Sequence, residues 1–142
     1  MHPIIEWYSK VNHFGAENGF ELRILRPGKI EYTFTPGKNH EALPAFVHGG
    51  ALAGFMDAVL SVAGLSAVAP DNMLVSTIEF KINYLSSVKS GEQLTGTGTV
   101  VRKGNRILVT EGAIRSSKTN DLKAVGTGSL SAIQFDTSKI EN

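Results

Sequence analysis

The stretch FVHGGALAGFMDAVLSVAGLSAVAP, residues 46–70, decides the fold of this protein. Between Gly49 and Ala69 it holds only small and apolar residues, two serines and a single ionisable side chain, Asp57. It is long enough to cross a membrane, which takes about 20 apolar residues, but it is rich in alanine, glycine and serine. A helix that is apolar on nearly every side is otherwise buried inside a protein. We therefore predict one buried helix, ended by Pro70.

The segments on either side of this helix predict strands. Apolar and polar residues alternate along KIEYTFTP (29–36) and STIEFKINYL (76–85), as they do in half-buried strands. In the second segment this alternation puts Thr77 on the face opposite to the apolar side chains that begin at Ile78. The remaining predicted elements are a short helix over 3–12, a strand over 20–25, a hairpin over 92–116 that turns at residues 103–105, a last strand over 122–135, and a polar, frayed tail after Asp136.

The predicted element order is β-β-α-β-β-β-β, and only a sheet curled around the helix would cover most of its surface. We therefore predict an α+β fold in which an antiparallel sheet wraps around one long apolar helix. Glycines support this, because they share one face within each of three strands, and glycine weakens a strand unless something must approach its backbone closely. The alternative is that they mark bulges or bends. These glycines are Gly96, Gly98, Gly112, Gly126 and Gly128.

The composition argues against several classes of function. A net charge of +1 favours neither a nucleic acid nor an acidic membrane as partner. The chain has no cysteine and its four histidines show no ligand spacing, so we expect no metal site. The first ten residues lack the basic start and long apolar run of a signal peptide. We expect one cytoplasmic domain over residues 1–142, with its core at about residues 20–135.

The start of the buried helix, His48-Gly49-Gly50, is suited to hold an oxyanion. A helix N-terminus offers unpaired N–H groups at the positive end of the helix dipole, and glycine lets another group approach the backbone. The Gly49 N–H in particular is placed to receive a carbonyl oxygen. Asp57 on the same helix would attack a carbonyl or activate a water if it lines a cleft. The alternative is a structural carboxylate at a helix contact.

Gly49 and Asp57 cannot both reach one carbonyl carbon from a single helix. They lie eight residues apart, or about 12 Å at the rise of an α-helix. If both are catalytic, they come from two chains, and a two-fold axis would then generate the site twice. The sequence thus predicts a homodimer with shared sites.

His48-Gly49-Gly50, six intervening residues and Asp57 resemble the motif of the hotdog-fold acyl-CoA thioesterases, particularly the phenylacetyl-CoA-type (PaaI-like) branch of the 4-hydroxybenzoyl-CoA thioesterase superfamily. STIEFKINYLSSVKSGEQL and GNRILVTEGAIR also look like family strands, and the resemblance spans roughly residues 20–133. It implies dimers that pair their sheets edge to edge, often assembled further into homotetramers. It also implies that the Gly49 N–H polarises the thioester carbonyl while Asp57 of the other chain acts as base or nucleophile.

The resemblance assigns supporting roles to two further residues. Thr77 falls where the family carries a serine or threonine that positions the water, and His48 falls where a histidine orients the loop. The alternatives are an ordinary strand threonine and, for His48, a general base. One position departs from the family pattern, since Ala42 stands where an asparagine or glutamine is usual. We expect Asn39, His40 or Glu41 to replace that group if the loop differs in length.

Predictions for substrate binding are broader. We expect an apolar pocket for the acyl group. The basic cluster of the 92–116 hairpin would bind the phosphates of coenzyme A. The alternative is that this cluster is only a solvated hairpin tip. The pocket residues are Gly50, Phe46, Leu52, Phe55, Met56 and Leu60. The basic cluster is Arg102, Lys103 and Arg106, and Lys81, Asn83, Ser86 and Ser87 would line the same route.

The leading functional hypothesis is hydrolysis of an acyl-CoA thioester, which needs no cofactor because the ester is already activated. Attack by water and direct attack by Asp57 both remain open. A second hypothesis, motivated by Ala42, is a non-catalytic module that binds acyl-CoA or an acyl carrier. A third is hydration of enoyl-CoA, which requires a catalytic aspartate and histidine close together in a loop, an arrangement we do not find in the sequence.

Overall fold

The computed structural model describes residues 1–140. The helices are α1 (Pro3–Val11), α2 (His13–Glu17) and α3 (Gly49–Val68), and the strands are β1 (Glu21–Arg26), β2 (Lys29–Phe34), β3 (Glu41–Leu43), β4 (Phe46–Val47), β5 (Met73–Tyr84), β6 (Leu94–Lys103), β7 (Ile107–Ser116) and β8 (Leu122–Gln134). The predicted strands and long helix are all present. The short α2 and the two-stranded β3–β4 sheet were not predicted.

The main sheet has six strands in the order β1-β2-β6-β7-β8-β5, and all neighbouring strands are antiparallel. Helix α3 packs against β2, β5, β6, β7 and β8. By length and composition alone, Gly49–Asp71 would suffice to span a membrane, but 67% of its apolar window is buried within the protein. The predicted sheet around one apolar core helix is therefore confirmed.

The strand glycines let α3 lie directly against the sheet. A Cβ built on Gly98 would stand 2.4 Å from the backbone oxygen of Val59, and one on Gly96 would stand 2.5 Å from the Val59 side chain. Gly112 and Gly126 face the sulfur of Met56 at 3.0 and 2.9 Å in the same way. The close approach of helix and sheet therefore explains these glycines.

A β-bulge at Ile78 changes which side chains of β5 face the helix. The pairing of β5 with β8 shifts between Thr77 and Glu79, and Ile78 is 57% exposed. Thr77 pairs with the fully buried Leu130, and paired residues share a face of the sheet. The predicted uninterrupted alternation was therefore wrong here, because the extra residue of a bulge reverses the parity of the strand.

The two ends of the described chain meet behind α3. Ile4 and Ile5 of α1 form a buried cluster with Leu65, and Ile140 packs against it. The ring of Trp7 lies 4.7 Å from that of Phe135. The prediction of a frayed tail was wrong for Thr137–Ile140, which forms a 3₁₀ turn, because Ile140 gives the tail an apolar anchor. Residues 141–142 of that predicted tail lie outside the described residues.

Candidate active site

His48 caps the first turn of α3. Its backbone is extended, and its Nδ1 accepts a hydrogen bond of 2.7 Å from the Gly50 N–H. The backbone oxygen of His48 accepts a bond from the Ala51 N–H. The Gly49 N–H, in contrast, donates to no group within residues 1–140. It is thus a free donor at the positive end of the helix dipole.

Tyr84, at the end of β5, holds the same turn from the other side. Its hydroxyl donates a hydrogen bond of 2.7 Å to the backbone oxygen of Gly49. A Cβ built on Gly49 would lie 3.3 Å from Cζ of the ring. Gly49 and Tyr84 line an open cleft of about 390 Å³ together with the predicted pocket residues Phe46 and Leu52. The Gly49 backbone therefore lies at a cleft that is open to solvent.

Asp57 is partly buried on α3 and is held by Thr77. The Thr77 hydroxyl donates a hydrogen bond of 2.7 Å to Oδ1 of the carboxylate. Oδ2 accepts no hydrogen bond from the described residues, 1–140. One oxygen is thus fixed while the other is available to take a proton or to attack.

Tyr8 of α1 lies near this carboxylate. Burial raises the pKa of the Tyr8 hydroxyl, and the negative charge of Asp57 raises it further, because a second negative charge nearby is unfavourable. Tyr8 therefore stays protonated at neutral pH. Thr77 and Tyr8 thus each bring a hydroxyl-bearing side chain into the neighbourhood of Asp57.

The Asp57–Thr77 pair lies beside an open sheet edge. Strand β5 is the last strand in the sheet order, so one of its sides has no partner strand within residues 1–140. A long edge strand without a partner is a template for pairing with another chain. Within one chain, Asp57 remains about 12 Å along α3 from Gly49. The geometry thus divides the predicted catalytic groups into two half-sites.

A comparison with known families places these half-sites in context. The family model described as the thioesterase superfamily matches residues 45–123, more than half of the chain, and this segment includes Gly49, Asp57 and Thr77. The chain belongs to the thioesterase superfamily. One long helix lies inside its antiparallel sheet, so it has the hotdog fold of the thioesterases that its sequence resembles.

Solved structures agree with this family. Thioesterase HI1161 from Haemophilus influenzae is 25% identical, with 87% of this chain and 85% of that chain covered and a TM-score of 0.78. A hypothetical thioesterase from Streptococcus pneumoniae, solved with coenzyme A, is 21% identical over 82% of this chain and 91% of that chain, with a TM-score of 0.73. The E. coli PaaI protein from the phenylacetic acid degradation operon is 18% identical over 92% and 91%, with a TM-score of 0.81. The last two show the fold alone. No curated protein matches the sequence significantly.

Several predicted substrate contacts lie elsewhere. Met56 is fully buried, with its sulfur against the sheet glycines, so a substrate cannot reach it in this structure. Phe55 and Leu60 are likewise fully buried in the core. Asn83 lines a groove on the outer face of the sheet with Lys81, away from α3. The apolar pattern of α3 predicted its burial but not which of its faces would stay open.

The basic cluster lies at the far end of α3. Lys103 bonds to the backbone oxygen of Ala67 at 3.0 Å and to Asp71 at 2.7 Å, which ties the hairpin to the C-terminal end of the helix. Arg102 and Arg106 are exposed. The fold does not bring these side chains to Gly49 of the same chain, and their role with phosphates stays a prediction.

Of the three residues expected to supply the polar group that Ala42 lacks, Asn39 is exposed and the other two have partners of their own. Ala42 is exposed on β3. His40 accepts a bond from the Gly37 N–H at 2.9 Å and contacts Oδ1 of Asn18 at 2.6 Å. Glu41 accepts a bond of 2.6 Å from the Ser90 hydroxyl, which lowers the pKa of Glu41. Both side chains are thus held by other partners.

Sequence reasoning did not assign a site role to Tyr84 or Tyr8. Tyr84 was counted in the apolar stripe of β5, and Tyr8 was only part of a predicted short helix. The hydroxyl at the end of an otherwise apolar stripe was the available signal for Tyr84, because a phenol needs a polar partner. Within residues 1–140, no three histidine, aspartate or glutamate side chains converge as metal ligands would.

Proposed function

We propose that this protein hydrolyses acyl-CoA thioesters in a site shared by two chains. The Gly49 N–H of one chain receives the thioester oxygen, and Asp57 of the other supplies the base or the nucleophile. One observation carries the proposal. The free Gly49 N–H and the Asp57 carboxylate, of which one oxygen has no hydrogen-bond partner among residues 1–140, lie about 12 Å apart on one helix of a thioesterase-superfamily chain. The S. pneumoniae neighbour was solved with coenzyme A, which supports coenzyme A as the leaving group here.

The reaction follows from the charges that develop. Attack on the thioester carbon places negative charge on its oxygen, which the helix dipole and the Gly49 N–H stabilise. Asp57 accepts the proton of the attacking water at Oδ2 and passes it to the leaving sulfur, while Thr77 fixes Oδ1. In the alternative, Asp57 attacks directly and forms a mixed anhydride, which a water then hydrolyses to restore the carboxylate. The sulfur leaves as coenzyme A, and a carboxylic acid remains. No cofactor enters this balance, and we place the reaction in the cytoplasm.

The first test is release of free thiol from a panel of acyl-CoAs. We compare the wild type with Asp57→Asn, which keeps the acceptor for Thr77, and with Glu111→Gln on the outer face of the sheet. Loss of the carboxylate should lower the rate by about 10²–10⁴-fold, while Glu111→Gln should match the wild type. Equal activity of Asp57→Asn and wild type would overturn the mechanism.

The shared site has its own test. Gly49→Pro removes the N–H donor, and Asp57→Asn removes the base. Coexpression of the two variants produces mixed dimers in which one site is intact and the other lacks both groups. If the site is shared, the statistical mixture should recover about a quarter of the wild-type rate. No recovery in verified mixed dimers would place both groups in one chain's site.

The second candidate is a module that binds acyl-CoA without turnover. The exposed Ala42 favours it, because Ala42 stands where the resembled family carries a polar group, and His40 and Glu41 are held by other partners. This candidate predicts binding of acyl-CoA with no thiol release across the panel. An Ala42→Asn variant that gains turnover would assign the missing group.

A further inference from the structure

A cavity lies next to the Asp57–Thr77 pair, between α1, α3 and β5. Its volume is about 170 Å³. Trp7, Tyr8 and Val11 of α1 form one wall, Ser61 of α3 and Val75 of β5 contribute to the opposite one, and we call this space the α1 cavity. It is distinct from the cleft at Gly49, with which it shares no lining residue.

Three relationships connect the α1 cavity with the candidate base. Ser61 lies four residues after Asp57 on α3, so both occupy one face of the helix. Val75 lies two residues before Thr77 on β5 and on the same side of the strand. Tyr8 lines the cavity, and the charge of Asp57 raises the pKa of its hydroxyl. The cavity therefore lies about one helical turn from the carboxylate, and Ser61 and Tyr8 connect the two.

The walls determine what the α1 cavity can hold. Its other lining residues, Val62, Leu65 and Leu74, are aliphatic, and no charged side chain among residues 1–140 lines it. Such a pocket takes an apolar, uncharged group. A protein cavity of about 150 Å³ holds one benzene molecule, so about 170 Å³ accommodates a six-carbon group.

We propose that the α1 cavity binds the acyl group of the substrate and that helix α1 limits its size to about six carbons. The inference rests on the proposed function, since the acyl chain enters the cavity from a carbonyl placed at Asp57. Trp7 is fixed by its contact with Phe135, and Val11, 45% exposed, stands at the rim. Helix α1 thus forms one wall of the pocket, from the fixed ring of Trp7 to the rim at Val11.

The inference predicts a chain-length profile. Each methylene that enters the cavity should raise kcat/KM by about fourfold, until the cavity is full at about six carbons. Dodecanoyl-CoA should then show no gain over hexanoyl-CoA. A steady rise from hexanoyl to dodecanoyl would overturn the size limit.

A matched pair of variants tests the wall. Val11→Trp should narrow the cavity and lower kcat/KM for hexanoyl-CoA by about tenfold or more, with acetyl-CoA changed by less than about threefold. Lys10→Trp adds the same ring at the neighbouring, exposed position and should keep the wild-type profile. Identical profiles for Val11→Trp and wild type would overturn the inference while leaving the hydrolysis intact.

A second measurement does not depend on turnover. Trp7 is the only tryptophan of the sequence, so its fluorescence reports on the α1 cavity directly. We expect hexanamide, a neutral mimic of the acyl end, to shift the emission of the wild type, and coenzyme A alone to leave it unchanged. A shift without thiol release would support the cavity and contradict the proposed function. Thiol release without any shift in emission would support the proposed function and contradict the assignment of the cavity.

Discussion

The hydroxyl of Thr77 donates a hydrogen bond of 2.7 Å to Oδ1 of Asp57, 20 residues earlier in the chain. The bulge at Ile78 makes this contact possible, because it turns Thr77 toward the helix. The bond fixes the carboxylate through one oxygen and leaves the other available within the described chain. Thr77 is therefore a positioning residue for Asp57 in this structure.

We predict that Thr77→Ala lowers the thioesterase rate while Thr77→Ser retains it. A hydrogen bond to a charged group contributes about 1.5–3 kcal/mol, so loss of the bond should reduce kcat by about 10–100-fold. Serine keeps the donor and should recover most of the rate. The measurement is thiol release at saturating acyl-CoA. A purely structural threonine would change thermal stability in Thr77→Ala but leave kcat near the wild-type value.

The sequence predicted this site only in part. The small, apolar character of α3 and the shared parity of the strand glycines were sufficient for the fold, because both follow directly from burial and close packing. The bulge was not predictable, because the alternation of apolar and polar residues in β5 continues through Ile78. The same sequence pattern is compatible with a regular strand and with a bulged one. The face on which Thr77 lies depends on its pairing with Leu130, which is a tertiary contact.

The pocket was harder to predict for a related reason. A helix that is apolar all round, such as α3, does not show which face the sheet covers, so Met56 was assigned to the pocket and lies in the core. The α1 cavity depends on where α1 docks. Trp7 and Tyr8 gave the helix apolar surface, but the sequence did not show that they reach the neighbourhood of Asp57.

We predict that Gly49→Pro lowers kcat by about 10²–10³-fold and that Gly49→Ala lowers kcat far less. Proline is well accepted at the first helical position, and His48 before it is already extended as proline requires. The variant therefore removes the N–H with little effect on the helix. Loss of one oxyanion donor costs about 10²–10³-fold in kcat.

Alanine at this position is the control, because it keeps the donor. Its Cβ meets the Tyr84 ring at 3.3 Å, a contact that a small ring movement relieves. Circular dichroism establishes whether α3 is intact in both variants. Equal rates for the proline and alanine variants would exclude the Gly49 N–H from the reaction.

We predict that His48→Asn keeps substantial activity and that His48→Ala is less stable. The Nδ1 of His48 already accepts the Gly50 N–H, and asparagine is a good replacement for such a cap. Loss of the cap in the alanine variant should cost about 1 kcal/mol of unfolding free energy, measured by urea denaturation. If His48 were the general base, both variants would lose about 10²–10⁴-fold in rate.

We predict that Gly98→Ala destabilises the fold more strongly than Gly128→Ala. The new Cβ in Gly98→Ala meets the backbone oxygen of Val59 at 2.4 Å, and backbone cannot rotate away. The nearest atom at Gly128 is a side-chain carbon of Leu60 at 3.3 Å, which can yield. Overpacking costs about 1–3 kcal/mol or more, so the melting temperature should fall clearly for the first variant. The reverse order would show that α3 does not lie against this part of the sheet.

We predict that stability falls in alkaline solution partly because of Tyr32. Burial raises the pKa of its hydroxyl, and the neighbouring Tyr8 raises it further. The unfolded chain ionises near the ordinary value of about 10, whereas the folded chain keeps its proton. The stabilisation is therefore complete below about pH 10 and is lost as the pH rises toward the raised pKa.

Tyr32→Phe should make the decline of unfolding free energy shallower by about 1.4 kcal/mol per pH unit above pH 10. Urea denaturation between about pH 8 and pH 11 measures both slopes, and equal slopes above pH 10 would contradict the burial of this hydroxyl.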